Sequence, residues 1–562
     1  MNRLTHAALG LLIAGCTSAQ QPMAEPAPVT GPLPLKYAAR PTVAAITPAD
    51  LMSRLYQFAD DSMMGRSAGT IYHDKGVEYI ASELRRLGIQ PAGENGTYFQ
   101  RIPLMVRAVG SGTTISVDGR SFAPGRDFIV RDARQFNAIE REWRNTPVVY
   151  GGMFGDAAGM IDPAQAAGNI VVFGVPQGWQ ANRGVLVQRY IQAAGVVVAT
   201  IDSMPPATRQ ELSDPVMAMS GTTQLQVPAF LYSTLDMASA MLGGRVGTMA
   251  VGAAGRAASG AFNYTESAAP GSRNVIAMIP GSDPALRGQY IALGAHSDHV
   301  GFAAPVDHDS LYAFYHVVRP KGADDGNKPA TAEDWPKVRR MLDSLRALRP
   351  PRSDSIFNGA DDDGSGSMAL LEVAEAFAMA SEKPKRSLLF VWHVAEEGGL
   401  LGARHFTDNP TVPRDSIVAQ INVDMIGRGG AMDTPGGGPG YVQLIGARRL
   451  STELGDIVEA EGREFVPLFD FDYQYDANNH PQQFYCRSDH YMYARYGIPV
   501  VFISTGGHPE YHQVTDEPQY IDYNKLARVS QLMFNTARTV ANLDHRLVVD
   551  KPKPDPNARC RQ

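Results

Sequence analysis

The chain has 562 residues, a hydrophobic fraction of 44%, a charged fraction of 19% and a formal net charge of −7. That length is more than one core commonly serves, so at least two domains are expected of a folded globular protein. The mild acidity is spread along the chain with no basic stripe, which argues against a nucleic-acid partner, and cysteines only at 16, 486 and 560 are too few and scattered for a disulfide framework or a cysteine zinc site.

Arg3, an apolar run from Ala7 to Ala14 and then Gly15-Cys16 have the layout of a secretory signal over residues 1–15. Ile13-Ala14-Gly15-Cys16 also resembles a bacterial lipobox, which implies cleavage before Cys16 and a lipid attached to it. Thr17 after the cysteine then points to the outer membrane, facing the periplasm or the exterior; an ordinary signal peptide cut nearby is the alternative. No other stretch has about 20 uninterrupted apolar residues, so membrane contact is expected only through that anchor. Residues 16–46, rich in Pro, Ala and Gln, predict a flexible tether.

Thr47-Pro-Ala-Asp50 reads as a helix start, and Asp74 to Gly88 repeats apolar residues at helical spacing. From Asn145 the texture changes to short β-branched runs, PVVYGG, GNIVVFGVP, VVVATIDS and VPAFLYS, around one helical stretch from Gly184. This predicts a compact α/β module at 141–259. It resembles a protease-associated domain; an extra layer of the main domain is the alternative. The remainder, 47–140 with 260–545, is expected to form the main domain, followed by a tail at 546–562.

Beyond Asn274, apolar runs alternate with helical patterns: NVIAMIPGSD, QYIALGAHSDHVG, NGADDDGSG leading into SMALLEVAEAFAMA, SLLFVWHVAEEG, IVAQINVDMIG and IPVVFIS. The fold class expected is α/β, a mostly parallel sheet flanked by helices on both faces. His296, the pair Glu396 and Glu397, Asp424 and His512 each fall at or just past the end of a separate run, and Asp362 lies in a loop at a helix start. Neighbouring glutamates face one site only where a strand ends and bends. The crevice beyond the carboxyl ends of such strands is where ligands bind. Imidazoles and carboxylates in this number suit a pair of zinc ions.

The segments GAHSDH, NGADDDGSG, AEEGGLLGA, NVDMIGR, FYCRSDHYMYARYGIP and YHQVTDE, in that order, closely resemble the di-zinc aminopeptidase and glutamate carboxypeptidase-like metallopeptidase family. The resemblance implies two Zn2+ per chain, with His296 and Asp424 on one, Glu397 and His512 on the other, and Asp362 bridging. It makes Glu396 the general base that takes a proton from a zinc-activated water, and Tyr485 a hydrogen-bond donor to the tetrahedral oxyanion. Asp361 and Asp363 are not assigned as ligands. Asp298 and Asp516 are expected to orient His296 and His512. His299, His393, His405, His490 and His508 are expected to pack, and Cys486 to be a buried thiol.

Two insertions, at 300–358 and 429–483, depart from compact members of that family, and the run FDFDYQYD in the second is expected to help cap the pocket. The function expected is a metallo-exopeptidase acting on peptides, an aminopeptidase first. The alternatives are a carboxypeptidase using Arg428 or Arg487, and a non-catalytic binding protein with the same fold. Oligomeric state is not legible from the sequence.

Overall fold

The computed structural model describes residues 28–562 apart from 30, 32, 132–140, 156–158, 177–185, 188, 220–226, 270, 326–327 and 559. The signal peptide, Cys16 and the first part of the tether lie outside the described residues.

The main sheet is built on six strands: β1 (Ser272–Ile279), β2 (Tyr290–His296), β3 (Ser387–His393), β4 (Ile417–Val423), β5 (Tyr441–Ile445) and β6 (Val500–Ser504). Their spatial order is β1-β3-β2-β4-β6-β5, with short strands added at both margins. β3, β2, β4 and β6 run parallel, whereas β1 pairs antiparallel with β3 and β5 antiparallel with β6. The α/β class therefore stands, with four parallel strands at the centre of the sheet and an antiparallel strand on either side of them. An apolar run specifies a buried strand and not its direction, so the flanks were not legible.

Period-two alternation loads both faces of this sheet. In β3, Leu388, Phe390 and Trp392 enter one core while Leu389 and Val391 enter the other. The first core is closed by helices that include α2 (Gly366–Met379) and α3 (Tyr523–Asn542), through Leu371, Val529 and Met533 among others. The second is closed by Phe406, Met492 and Tyr493 from short helices on the opposite face. No described helix is long and apolar enough to cross a membrane.

A five-stranded sheet joins Val148–Met153, Ile170–Gly174, Gly195–Ala199 and Ala229–Ser233 in parallel, with Phe128–Val130 antiparallel at its edge. Further ladders pair Leu104–Val109 with Tyr264–Ala268, and Thr114–Val117 with Ala258–Phe262. The strands of these smaller sheets begin at Leu104.

Cys486 is not a free thiol: it forms a disulfide with Cys560, 74 residues away in sequence. The tail is held further by Gln562, which accepts from the Tyr485 amide at 2.9 Å and donates to the Ala477 carbonyl at 3.1 Å. Near the other end, the Val29 amide donates to Asn524 Oδ1 of α3 at 2.9 Å and Asn524 Nδ2 donates to the Val29 carbonyl at 2.8 Å, so this part of the tether follows an irregular path along the main body.

Candidate metal centre

The four central parallel strands end on the same edge, and each delivers part of one cluster. β2 ends in His296 itself; the chain leaves β3 through Ala395, bent into the left-handed region at φ 56°, and presents Glu396 and Glu397. β4 is followed by Asp424, and the loop after β6 carries His512. Asp362 enters from the loop preceding α2.

Asp362 is common to two groups. His296 Nε2 lies 3.1 Å from Asp362 Oδ1 and 3.6 Å from Asp424 Oδ1. His512 Nε2 lies 2.9 Å from Asp362 Oδ2 and 3.1 Å from Glu397 Oε2. Within each group, all ligand atoms lie within 4.8 Å of one another, and the second group also contains His299. The five residues expected as ligands are thus gathered, and Glu396, expected beside them as the base, belongs to neither group; it lines the adjoining cleft with Asp362, Glu397 and Asp424.

Neighbouring residues set the orientation. The Asp298 backbone carbonyl, 3.1 Å from His296 Nδ1, accepts that proton and turns Nε2 towards Asp362 and Asp424. The Asp298 carboxylate accepts instead from the Glu396 amide at 3.1 Å, and burial pushes its pKa up to about 7. Asp516 does not reach for His512: it accepts from the Asp361 and Asp362 amides at 3.0 and 3.2 Å, fixing the loop of the shared aspartate. Asp363 accepts from the amides of His296, Gly366 and Met425, and Asp361 from that of Gly427, which leaves Asp362 as the aspartate of the three that faces the cluster. Ser488 donates to Asp424 at 2.7 Å.

The field of the cluster is strongly negative. Burial opposes charge on the imidazoles, yet Asp424 and Asp362 hold His296, and Glu397 and Asp362 hold His512, well above the usual histidine range. Burial likewise opposes a charged Glu397, but His512 and His299 bring it down to about 2. Burial raises Glu396 well above the usual carboxylate range, and Asp424 and Glu397 add to that against the pull of His296. His296 Nε2, His299 Nδ1 and His512 Nε2 are buried without a hydrogen-bond partner. Orphaned imidazole nitrogens pointing into a nest of carboxylates are a donor set that fits divalent cations of the zinc type.

A third group, His308, Asp354 and Glu517, has the residue types of a cation site but is already paired. Arg352 meets both Glu517 and Asp354, and His308 lies 2.9 Å from Glu517. His308 opens helix α1 (His308–Val318) of the first insertion, and His316 of the same helix contacts Glu510 at 2.5 Å. The insertion therefore clamps the loop that carries His512 from outside.

Four expectations change here. Tyr485 packs against His490, Tyr491 and Arg449 in the second core, with the disulfide at its neighbour; the tyrosine on the cleft wall is Tyr511, stacked on His512 with ring centroids 4.0 Å apart. Arg428 is buried against Asp433 and Glu510 at 2.8 and 3.0 Å, whereas Arg487 lines the cleft, 3.4 Å from the Tyr511 hydroxyl. Among the described residues, the cleft takes Gln443 from the second insertion and none of 300–358 or 469–476. Asp470–Asp472 forms an edge strand beside β5, and Phe469 and Phe471 pack on each other. His299 belongs to the cluster rather than to general packing. Its position three residues after His296 was the signal available, and Tyr511 could have been suspected from its place next to His512.

The sheet brings histidines and carboxylates from its strand ends around one shared aspartate, which makes two candidate cation positions on an α/β scaffold. Residues 342–537, about a third of the chain, match the model of Peptidase family M28. The matched region includes Asp362, Glu396, Glu397, Asp424, Tyr511 and His512 and excludes His296 and His299. Leupeptin-inactivating enzyme 1 of Streptomyces exfoliatus is 43% identical over 77 residues, 13% of this chain and 18% of that one. A probable leucine aminopeptidase of Arthroderma benhamiae is 25% identical over 234 residues, 37% of this chain and 59% of that one. The chain thus spans less than two thirds of these curated relatives. An aminopeptidase from Aneurinibacillus sp. strain AM-1 aligns over 90% of this chain and 97% of its own at 16% identity, with a TM-score of 0.48.

Proposed function

We propose that the protein is a di-zinc metallo-exopeptidase, and that it releases N-terminal residues from peptides. The observation that carries this reading is the sharing of Asp362 between two histidine–carboxylate groups beside the unligated Glu396. His296, Asp362 and Asp424 would hold one zinc ion, and Asp362, Glu397 and His512 the other. Bound zinc supplies Lewis acidity, which makes a water nucleophilic near neutral pH and polarises the scissile carbonyl.

Glu396 takes the proton of the attacking water and delivers it to the amine as the C–N bond breaks. Burial and acidic neighbours raise its pKa above the usual carboxylate range, which makes its carboxylate a better acceptor for that proton. Tyr511, rather than Tyr485, is placed to donate to the carbonyl oxygen as it gains charge, with Arg487 beside its hydroxyl. Phe484, Phe502 and Met425 give the cleft an apolar wall for a substrate side chain.

The disulfide between Cys486 and Cys560 supports export to an oxidising compartment, with Cys16 as the lipid anchor. The strands between 104 and 268 form the smaller α/β sheets that we read as the protease-associated insert. Arg487 on the cleft wall favours a second reading, a carboxypeptidase that grips a terminal carboxylate.

A panel of aminoacyl amides and short peptides separates the two. Hydrolysis is expected to require a free α-amine and to survive amidation of the C-terminus. Activity kept on blocked amines but lost on amidated peptides would favour the carboxypeptidase, and hydrolysis of none by zinc-loaded protein would favour a binding role.

A further inference from the structure

His299 is wholly buried in the turn after β2, in the run His296-Ser297-Asp298-His299. Its Nδ1 lies 2.8 Å from Glu397 Oε1 and 3.9 Å from Asp362 Oδ2. The ring also meets His512 edge-on, with centroids 5.4 Å apart. The short approach to Glu397 lacks hydrogen-bond alignment, and neither ring nitrogen of His299 has a hydrogen-bond partner. A buried imidazole left that way is unfavourable unless something else takes up its lone pair.

The backbone is shaped to admit this ring. Gly359 has φ +56°, and a Cβ there would fall 2.4 Å from the Asp362 carbonyl oxygen and 2.5 Å from His299 Cγ, so the glycine lets the loop of Asp362 and the His299 ring pack together.

We propose that His299 is itself a metal ligand, through Nδ1, at the position formed by Asp362, Glu397 and His512. This rests on the di-zinc reading and deepens it. The two positions are then unequal: one has four protein donors and the other, His296 with Asp362 and Asp424, has three. Four protein donors are the mark of a closed, structural zinc position, and three with a place left over are the mark of a catalytic one. The closed position fixes Glu397, and with it the backbone that presents Glu396. The three-donor position keeps the coordination place that substrate needs.

The test uses the full chain stripped of metal and titrated with Co2+ alone, read by visible absorption and by competition with a chelator. Wild-type protein is expected to show two binding events, the tighter with the intense band of a four-coordinate ion. His299→Ala and His299→Asn, with folding checked by circular dichroism, are expected to weaken that event beyond the ~10–100-fold typical of losing an outer-shell partner and to change its band. His296→Ala is expected to leave the tight event and remove the other.

A wild-type spectrum in both His299 variants would overturn the proposal and reduce His299 to a residue that orients Glu397. X-ray absorption at the zinc edge of the wild-type protein decides without any variant: three imidazoles over two zinc ions support the proposal, and two over two contradict it. A wild-type protein that binds no cobalt would sink the di-zinc reading instead, so the two failures are distinct.

Discussion

Replacing Glu396 by glutamine is expected to lower kcat by about 10²–10⁴-fold, the range that a positioned acid–base group contributes, while both zinc ions stay bound. Glutamine keeps the shape of the side chain, and the amide that Asp298 holds at 3.1 Å belongs to the backbone, so the turn after β3 is undisturbed. Neither cation group includes Glu396, and the ligand set is left whole. What disappears is the carboxylate that accepts and returns a proton. Steady-state rates beside metal analysis by mass spectrometry check both halves, and undiminished turnover would reject Glu396 as the base.

Asp362→Ala is expected to have the opposite signature. Both groups use this residue, one through each carboxylate oxygen, so both should weaken together. Zinc content should fall from two per chain to near none, and activity with it. Stability should follow, because an ion that binds only the folded chain adds about 4 kcal/mol at a thousandfold excess over its Kd. Excess zinc should therefore raise the Tm of the wild-type protein and leave that of Asp362→Ala nearly unmoved. Asp424→Ala, which touches one group alone, should keep a single ion. Retention of two ions by Asp362→Ala would exclude it as the shared ligand.

The residues that the sequence placed together are those whose position follows from local rules. An apolar run that halts on His296, on Glu396-Glu397 or on Asp424 announces a strand end, and parallel strands bring their ends to one edge. Asp362 was legible from its place before a helix start. What escaped depended on contacts between distant segments. Cys486 and Cys560, separated by 74 positions, carry no sign of pairing, and the direction of β1 and β5 is not written in their apolar content.

Asp298 and Asp516 were read as carboxylates serving imidazoles, whereas His296 is oriented by a backbone carbonyl and the Asp516 carboxylate holds backbone amides. Such hydrogen bonds leave no residue pattern. Tyr485 and Tyr511 show the same limit: both lie near the right loops, and packing alone decides which ring reaches the cleft.

Anomalous scattering at the zinc edge from crystals of the full chain bears most directly on whether two cations share Asp362. Two peaks about 3.5–4 Å apart are expected. One should lie against His296 and Asp424, the other against Glu397 and His512, and both should touch Asp362. Zinc-loaded crystals with no peak at these residues, or with one ion seated away from Asp362, would contradict it.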